Sequence, residues 1–369
     1  MKTHVSIDRV HARAFEIPTD RPEADGTFRW NSTTLVLVEA FAGDKIGIGY
    51  TYSSACIVDL IRGTLASRLK GMDAFALESA WLTMQRAVRN LGREGLAATA
   101  ISAVDAALYD LKALLLDLPL VSLLGGFRSS VPIYGSGGFT SYSDRELAEQ
   151  LSGWVTEQGC AYVKMKVGTQ PECDPQRVRV AKHAIGDRAA LFVDANGAYT
   201  QKQALRLAQE FSEQRVGWFE EPVSSDDLVG LSTLRRGVPP PMEVAAGEYA
   251  YTTDYVRTML QSGAVDVQQA DVTRCGGITG FLQIAALCDA FHTDLSAHCA
   301  PALHLHVACA APRLRHLEWF HDHVRIEQML FEGAPHPREG RIAPDMSQPG
   351  NGLQFKNGDA ARYAVAGAS

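Results

Sequence analysis

The pattern of apolar and polar positions changes its period along this chain and divides it in two. Val5 to Ile17 and Thr33 to Glu39 read as strands, with Gly43-Asp44-Lys45 as the turn into a further strand at Ile46-Gly47-Ile48. Helical periodicity then takes over at about Ile57 to Leu69, Ala74 to Asn90 and Leu96 to Leu116. Between the first two strands, residues 19–30 are polar and punctuated by Pro22 and Gly26, with Phe28 and Trp30 near the end, which predicts a mobile loop. Residues 1–125 therefore read as an N-terminal α+β domain, closed by Pro119 and Gly125-Gly126.

From Val131 the pattern becomes a repeat. Apolar strands are expected at Val131–Gly135, Tyr162–Val167, Ala190–Asp194, Gly217–Glu220, Glu243–Ala246, Ala264–Asp271, Asp294–Ala297 and Arg315–Trp319. Amphipathic helices lie between most of them, one opened by the capping box Ser143-Asp144-Arg145-Glu146 and another by Thr200. Strand and helix in alternation imply parallel pairing, and eight strands at this spacing fit a closed β/α (TIM) barrel over residues 126–320. An open doubly wound sheet is the alternative, but no G-x-G-x-x-G follows its first strand. Residues 321–369 show no clear period and are rich in Gly and Pro, so a loop-rich segment returning to the first domain is expected.

Composition narrows the class without naming a function. At 369 residues, 46% hydrophobic and 21% charged, the chain suits one barrel plus a smaller domain. A net charge of −7 gives no basic footprint for nucleic acid. No apolar run is long enough to span a membrane, Met1-Lys2-Thr3-His4 carries no signal pattern, and the seven cysteines form no Cys-x-x-Cys pair. These features predict a cytoplasmic enzyme with a small-molecule substrate and neither nucleic-acid nor membrane partner; a homo-oligomer is expected, though no feature of the chain fixes its state.

The chemistry is carried by strand ends. In Tyr162-Val163-Lys164-Met165-Lys166-Val167 the period-two geometry points Lys164 and Lys166 the same way. Two adjacent ammonium groups should depress each other's pKa, as a general base at neutral pH requires. Asp194, Glu220 and Glu248 close three successive strands, each one βα unit apart, so they converge on one mouth of a barrel. Three unneutralised carboxylates there would repel, and an oxygen-only ligand set predicts Mg²⁺. One unit further apart again lie Asp271 and His298, an aspartate placed to fix the tautomer of an imidazole base. Glu318 ends the eighth strand and is expected to act as a protonated hydrogen-bond donor. His304 and His306, in a following helix, read as satisfied core residues.

Lys-x-Lys, Val193-Asp194-Ala195-Asn196, Phe219-Glu220-Glu221-Pro222, Gly247-Glu248, Asp271 before Gly276-Gly277, His298 and Glu318 together resemble the enolase superfamily, mandelate racemase subgroup. The resemblance covers nearly the whole chain, including Asp105-Ala106-Ala107-Leu108-Tyr109-Asp110-Leu111. It implies an N-terminal capping domain on a modified (β/α)₇β barrel and Mg²⁺ on Asp194, Glu220 and Glu248. It also implies Lys166 and the Asp271–His298 dyad as opposed bases, with Lys164 and Glu318 polarising the substrate carboxylate. After Lys202 the only lysine is Lys356, so a second lysine base on a later strand, as in the muconate-cycloisomerase subgroup, is absent. Arg274 lies near that region but does not deprotonate in proteins. Ala270 departs from the Pro that often precedes the aspartate.

From the common enediolate, reprotonation gives a racemase or epimerase, loss of a β-hydroxyl gives a dehydratase, and intramolecular attack or loss of an oxygen gives a cycloisomerase. The polar loop at 19–30 decides the expectation. Asp20, Arg29, Trp30 and Tyr52 are the candidate substrate-binding residues, suited to a polyhydroxylated acid. A sugar-acid dehydratase forming a 2-keto-3-deoxy acid is expected, with a racemase or epimerase of a polar hydroxy acid, or an acid-sugar lactone cycloisomerase, as the alternatives.

Overall fold

The computed structural model describes residues 4–368. Strands β1 (Arg9–Ala24), β2 (Arg29–Ala42) and β3 (Lys45–Tyr52) form an antiparallel sheet in that order. Helix Leu96–Leu116 lies across it. That packing is close because β3 offers glycine at the crossing. A Cβ on Gly49 would stand 2.4 Å from the Ala103 carbonyl oxygen and 2.5 Å from the Ala107 nitrogen, and one on Gly47 would stand 2.3 Å from the Ala107 oxygen. The segment expected as one helix from Ile57 is Ile57–Leu60 and Ala66–Leu69 with a π-helical stretch, Ile61–Leu65, between them. The next helix is shorter than its apolar pattern suggested, Leu77–Ala87.

The segment expected to be a mobile loop is a long hairpin. β1 continues to Ala24 and β2 begins at Arg29, with a register shift between Pro18 and Glu23. Its polar sequence hid the strands, because cross-strand pairing here does not bury an alternating apolar face. Asp25 closes the turn by accepting from the backbone N–H groups of Thr27 and Phe28 at 2.6 and 2.7 Å. The tip is tied to the barrel: the Ala24 oxygen accepts from Thr140 N–H, and the Asp25 oxygen from the Thr140 and Thr169 hydroxyls.

Eight parallel strands form the barrel: β4 (Val131–Gly137), β5 (Tyr162–Lys166), β6 (Ala190–Asp194), β7 (Val216–Glu220), β8 (Glu243–Ala246), β9 (Val267–Ala270), β10 (Asp294–Ala297) and β11 (Leu314–Phe320). Each pairs with the next, and β11 pairs with β4 to close the ring. Tyr134, Phe192, Trp218, Ala245 and Val267 fill its interior, with Phe192 and Trp218 stacked at 5.1 Å and His316 set against Tyr134 at 4.8 Å. Beyond β11 the sequence reading missed a helix, His321–Leu330. Its buried face is Asp322, His323, Ile326, Glu327 and Leu330, mostly polar, so no hydrophobic period marked it. The remaining tail reaches the capping sheet, where Val365 N–H donates to the Ala14 oxygen at 2.9 Å. No helix among the described residues is long and apolar enough to cross a membrane.

His304 and His306 are satisfied inside helix Pro301–Ala310. Val121 N–H donates to His306 Nδ1 at 3.1 Å, so the ring proton sits on Nε2 and is donated to the Asn351 oxygen, also at 3.1 Å. Burial pushes the His306 pKa down to about 4. The unfolded chain therefore binds this proton from about pH 6.5 while the folded protein resists it until about pH 4. Stability should fall as pH drops through that window, by up to about 1.4 kcal/mol per pH unit from this residue. Urea midpoints of wild type and His306→Gln across pH 4–7 check this: the variant should show a flatter fall. Independently, Gly49→Ala should lower the unfolding free energy by roughly 1–3 kcal/mol at unchanged m-value, because helix and strand must separate.

Candidate active site

Parallel register assembles the site at the C-terminal ends of the strands. Lys166 stands opposite Asp194, Asp194 opposite Glu220, and Ser136 opposite Lys164. Glu248 follows β8 after Gly247, whose φ of +137° only glycine adopts easily and whose Cβ would stand 2.2 Å from the Gln269 oxygen. Asp194, Glu220 and Glu248 are buried, and one oxygen from each lies within 4.8 Å of the others. Oxygen donors alone, and a Glu248 Oε2 that is sealed from solvent with no hydrogen bond, fit a hard divalent cation.

Lysines crowd the same carboxylates. Lys164 Nζ lies 2.7 Å from Glu220, 2.8 Å from Glu318 and 3.3 Å from Asp194, while Lys166 Nζ lies 2.6 Å from Asp194 and 3.0 Å from Asn196 Oδ1. With the carboxylates uncompensated by any metal cation, the expected mutual depression of the two lysines is outweighed. Burial does pull both down, but Glu220 and Glu318 around Lys164, and Asp194 beside Lys166, more than offset it, and both are held up. Glu318 is likewise corrected. Burial raises it, yet Lys164 and His298 hold it well below the usual carboxylate range, and it accepts from Ser136 Oγ at 2.5 Å and Cys299 N–H at 3.1 Å. It is an ionised acceptor rather than a protonated donor.

On the opposite side His298 Nδ1 bonds Asp271 Oδ2 at 2.8 Å, and its Nε2 faces Glu248 Oε2 at 3.3 Å. Asp271 sits one residue beyond β9, level with His298 beyond β10, because Ala270 pairs with Ala297. Cys299 and Ala300 follow with positive φ (54° and 39°), a backbone turn that delivers Cys299 N–H to Glu318.

The mouth opens into a cavity of about 300 Å³. Lys166, Glu248, His298, Glu318, Trp30 and Tyr52 line it. Asp20 and Arg29, expected in it, do not: Asp20 pairs with His321 at 3.1 Å, and Arg29 is exposed. Neighbouring Arg29 and Trp30 point to opposite sides of the hairpin, and Asp20 falls in the irregular stretch between Pro18 and Glu23, neither of which the polar loop reading could resolve. Sequence reasoning also missed several lining residues, three of them polar groups close to the carboxylates or on the new helix. Arg274 donates to the Glu248 carbonyl oxygen at 3.1 Å, Asn196 bonds Lys166, and His323 comes from the unforeseen helix. Asn196 lay within a motif already noted, whereas His323 had no local signal. A larger cavity, about 720 Å³, lies around Ser130, His306 and Arg341 at the other end of β4, away from the carboxylates.

The comparisons agree with this architecture. Residues 16–125 match the mandelate racemase / muconate lactonizing enzyme N-terminal domain, and residues 146–360 match the enolase C-terminal domain-like family. The chain belongs to the mandelate racemase / muconate lactonizing enzyme family of the enolase superfamily. It is 32% identical to a 3,6-anhydro-α-L-galactonate cycloisomerase of Streptomyces coelicolor over 97% of this chain and 99% of that one. It is also 32% identical to an L-talarate/galactarate dehydratase of Salmonella typhimurium over 84% and 77%. Among solved structures, a mandelate racemase/muconate lactonizing enzyme-like protein from Rubrobacter xylanophilus superposes with TM-score 0.95 at 49% identity, covering 98% of this chain and 100% of that one. The L-talarate dehydratase of Polaromonas sp. JS666, complexed with Mg and L-glucarate, gives TM-score 0.88 at 30% identity, covering 98% of each.

Calorimetric titration of metal-free protein tests the carboxylate set directly. Mg²⁺ should bind wild type, and Glu248→Gln should weaken that binding at least roughly tenfold, since a ligand matters no less than its supporting shell. Unchanged affinity in the variant would remove Glu248 from the set.

Proposed function

We propose that this protein dehydrates a sugar acid to a 2-keto-3-deoxy acid, with Mg²⁺ as its cofactor. The observation that carries the reading is the opposition of Lys166 and His298 across the Asp194–Glu220–Glu248 cluster, beneath a cavity to which the capping domain contributes the hydroxyls of Ser32, Thr33, Thr34, Tyr52 and Ser53. Held by those three carboxylates, Mg²⁺ supplies a Lewis acid that stabilises charge on the substrate carboxylate.

The chain's own residues do the rest. Lys164 sets a fixed positive charge beside Glu220 and Glu318, where the substrate carboxylate gains charge on losing its α-proton. Lys166 and His298 hold or move protons on opposite faces of the α-carbon. Asp271 takes the Nδ1–H of His298 and leaves Nε2 toward the substrate. In dehydration the α C–H electron pair becomes the enol double bond, the β C–O bond breaks, and the hydroxyl leaves as water with a proton from the opposite base. The enol then ketonises. Trp30 and Tyr52 line the space above and would contact the substrate chain. We also read the protein as cytoplasmic and without a nucleic-acid partner, a reading supported by its scattered free cysteines and acidic net charge, and as a homo-oligomer.

Incubation of aldonic and aldaric acids with enzyme and Mg²⁺, followed by a 2-keto-acid assay and proton NMR, tests this. Keto acid should form from at least one of them, and Lys166→Ala or His298→Asn should lower that rate by roughly 10²–10⁴-fold. Inversion at the α-carbon without keto acid would favour the epimerase instead.

A further inference from the structure

The cavity has a second wall, remote from the reacting groups, whose hydrogen-bonding character is one-sided. The capping domain supplies Ser32, Thr33, Thr34, Tyr52 and Ser53 to it. Several of these hydroxyl protons are already committed. Thr33 donates to Asp322 at 2.5 Å, Ser32 to Glu16 at 2.9 Å, and Tyr52 to the His323 carbonyl oxygen at 3.5 Å. Toward a ligand such oxygens can only accept. Among the described residues lining the cavity, no lysine or arginine comes from the capping domain, and Asp25 adds a carboxylate at the rim. Arg274 is the one guanidinium there. It lies 3.5 Å from both the Glu248 and the Asp271 carboxylates, which compensate its charge.

His323 adds a ring donor from the barrel side. The backbone N–H of Ala300 donates to its Nδ1 at 3.3 Å, so the proton of the neutral ring must sit on Nε2. Among the described residues no group accepts from Nε2. The ring is clamped parallel to Tyr52, centroids 3.5 Å apart at 13°, and edge-on to Phe320 at 5.0 Å. Burial keeps the imidazole neutral, pushing its pKa down to about 3.

Resting on the sugar-acid reading above, we propose that His323 is a specificity-determining donor for a substrate hydroxyl remote from the reacting carboxylate, and that this wall selects aldonic acids over aldaric diacids. A hydroxyl can give its proton to the accepting wall and take one from His323. A second carboxylate can only accept, meets no uncompensated cation, and would face Asp25 after losing its water.

Two measurements decide this. Lys166→Ala protein loaded with Mg²⁺ is titrated calorimetrically with pairs matched at their stereocentres, galactonate against galactarate and gluconate against glucarate. The aldonate should bind at least roughly tenfold more tightly in the better-binding pair. No preference, or a preference for the diacid, overturns the proposal. In the otherwise native enzyme, His323→Phe keeps the stacking and removes the donor. It should raise KM for the aldonate roughly tenfold to a hundredfold, with kcat less affected and His323→Asn recovering part of the loss. An unchanged KM in His323→Phe overturns it too. Because the titrated variant needs no turnover, an intact aldonate preference without keto acid from any acid would support this selectivity while removing the dehydratase reading.

Discussion

Lys164 has no solvent exposure, and its ammonium group is compensated by Glu220, Glu318 and Asp194 within 3.3 Å. The rest of the site depends on that balance. Removing one member of a buried ionic set leaves an uncompensated charge, which costs about 3–5 kcal/mol. The surroundings accordingly hold each carboxylate in place: Trp218 Nε1 donates to Glu220 Oε2 at 3.0 Å, Ser136 to Glu318, and the Asn196 backbone N–H to Asp194 at 2.9 Å. The aromatic interior below them thus does two jobs. It fills the barrel and it orients a carboxylate of the cluster, Glu220.

The cavity belongs to neither domain alone. Barrel strands supply the charges, and the capping hairpin supplies the opposite wall. The hairpin tip lies close enough that a Cβ on Gly26 would stand 2.4 Å from the Ala195 oxygen and 2.7 Å from the Val167 oxygen. Helix His321–Leu330 locks the two together. Its Glu327 accepts from Tyr50 of the cap at 2.6 Å and from Ala302 N–H of the barrel at 3.0 Å, while Arg325 donates to the Pro18 oxygen at 2.7 Å. The same helix carries His323, so the joint between the domains and the substrate wall are one element.

Much of this was legible in the chain because each candidate site residue lies at or just past a strand end and the strands recur at one spacing. Asp194, Glu220, Glu248, Asp271 and His298 could be picked out without any contact being known, since barrel geometry brings strand ends together whatever lies between them. The extended hairpin was not legible, because its pairing rests on backbone bonds and on contacts with loops after β4 and β5. The helix after β11 was not legible either, because its buried face is made of polar residues satisfied across domains.

By itself, then, the sequence determined the barrel, its capping domain and the convergence of the carboxylates, all of which follow from local periodicity and spacing. Only the tertiary structure decided the protonation and the specificity groups. Lys164 and Lys166 read alone should depress each other, yet the carboxylates around them reverse the sign. Glu318 read alone in a buried site should be neutral, yet Lys164 keeps it ionised. Asp20 and Arg29 turn away from the cavity while His323 enters it. Charge state and side-chain direction are set by neighbours distant in sequence, and spacing along one chain does not carry that information.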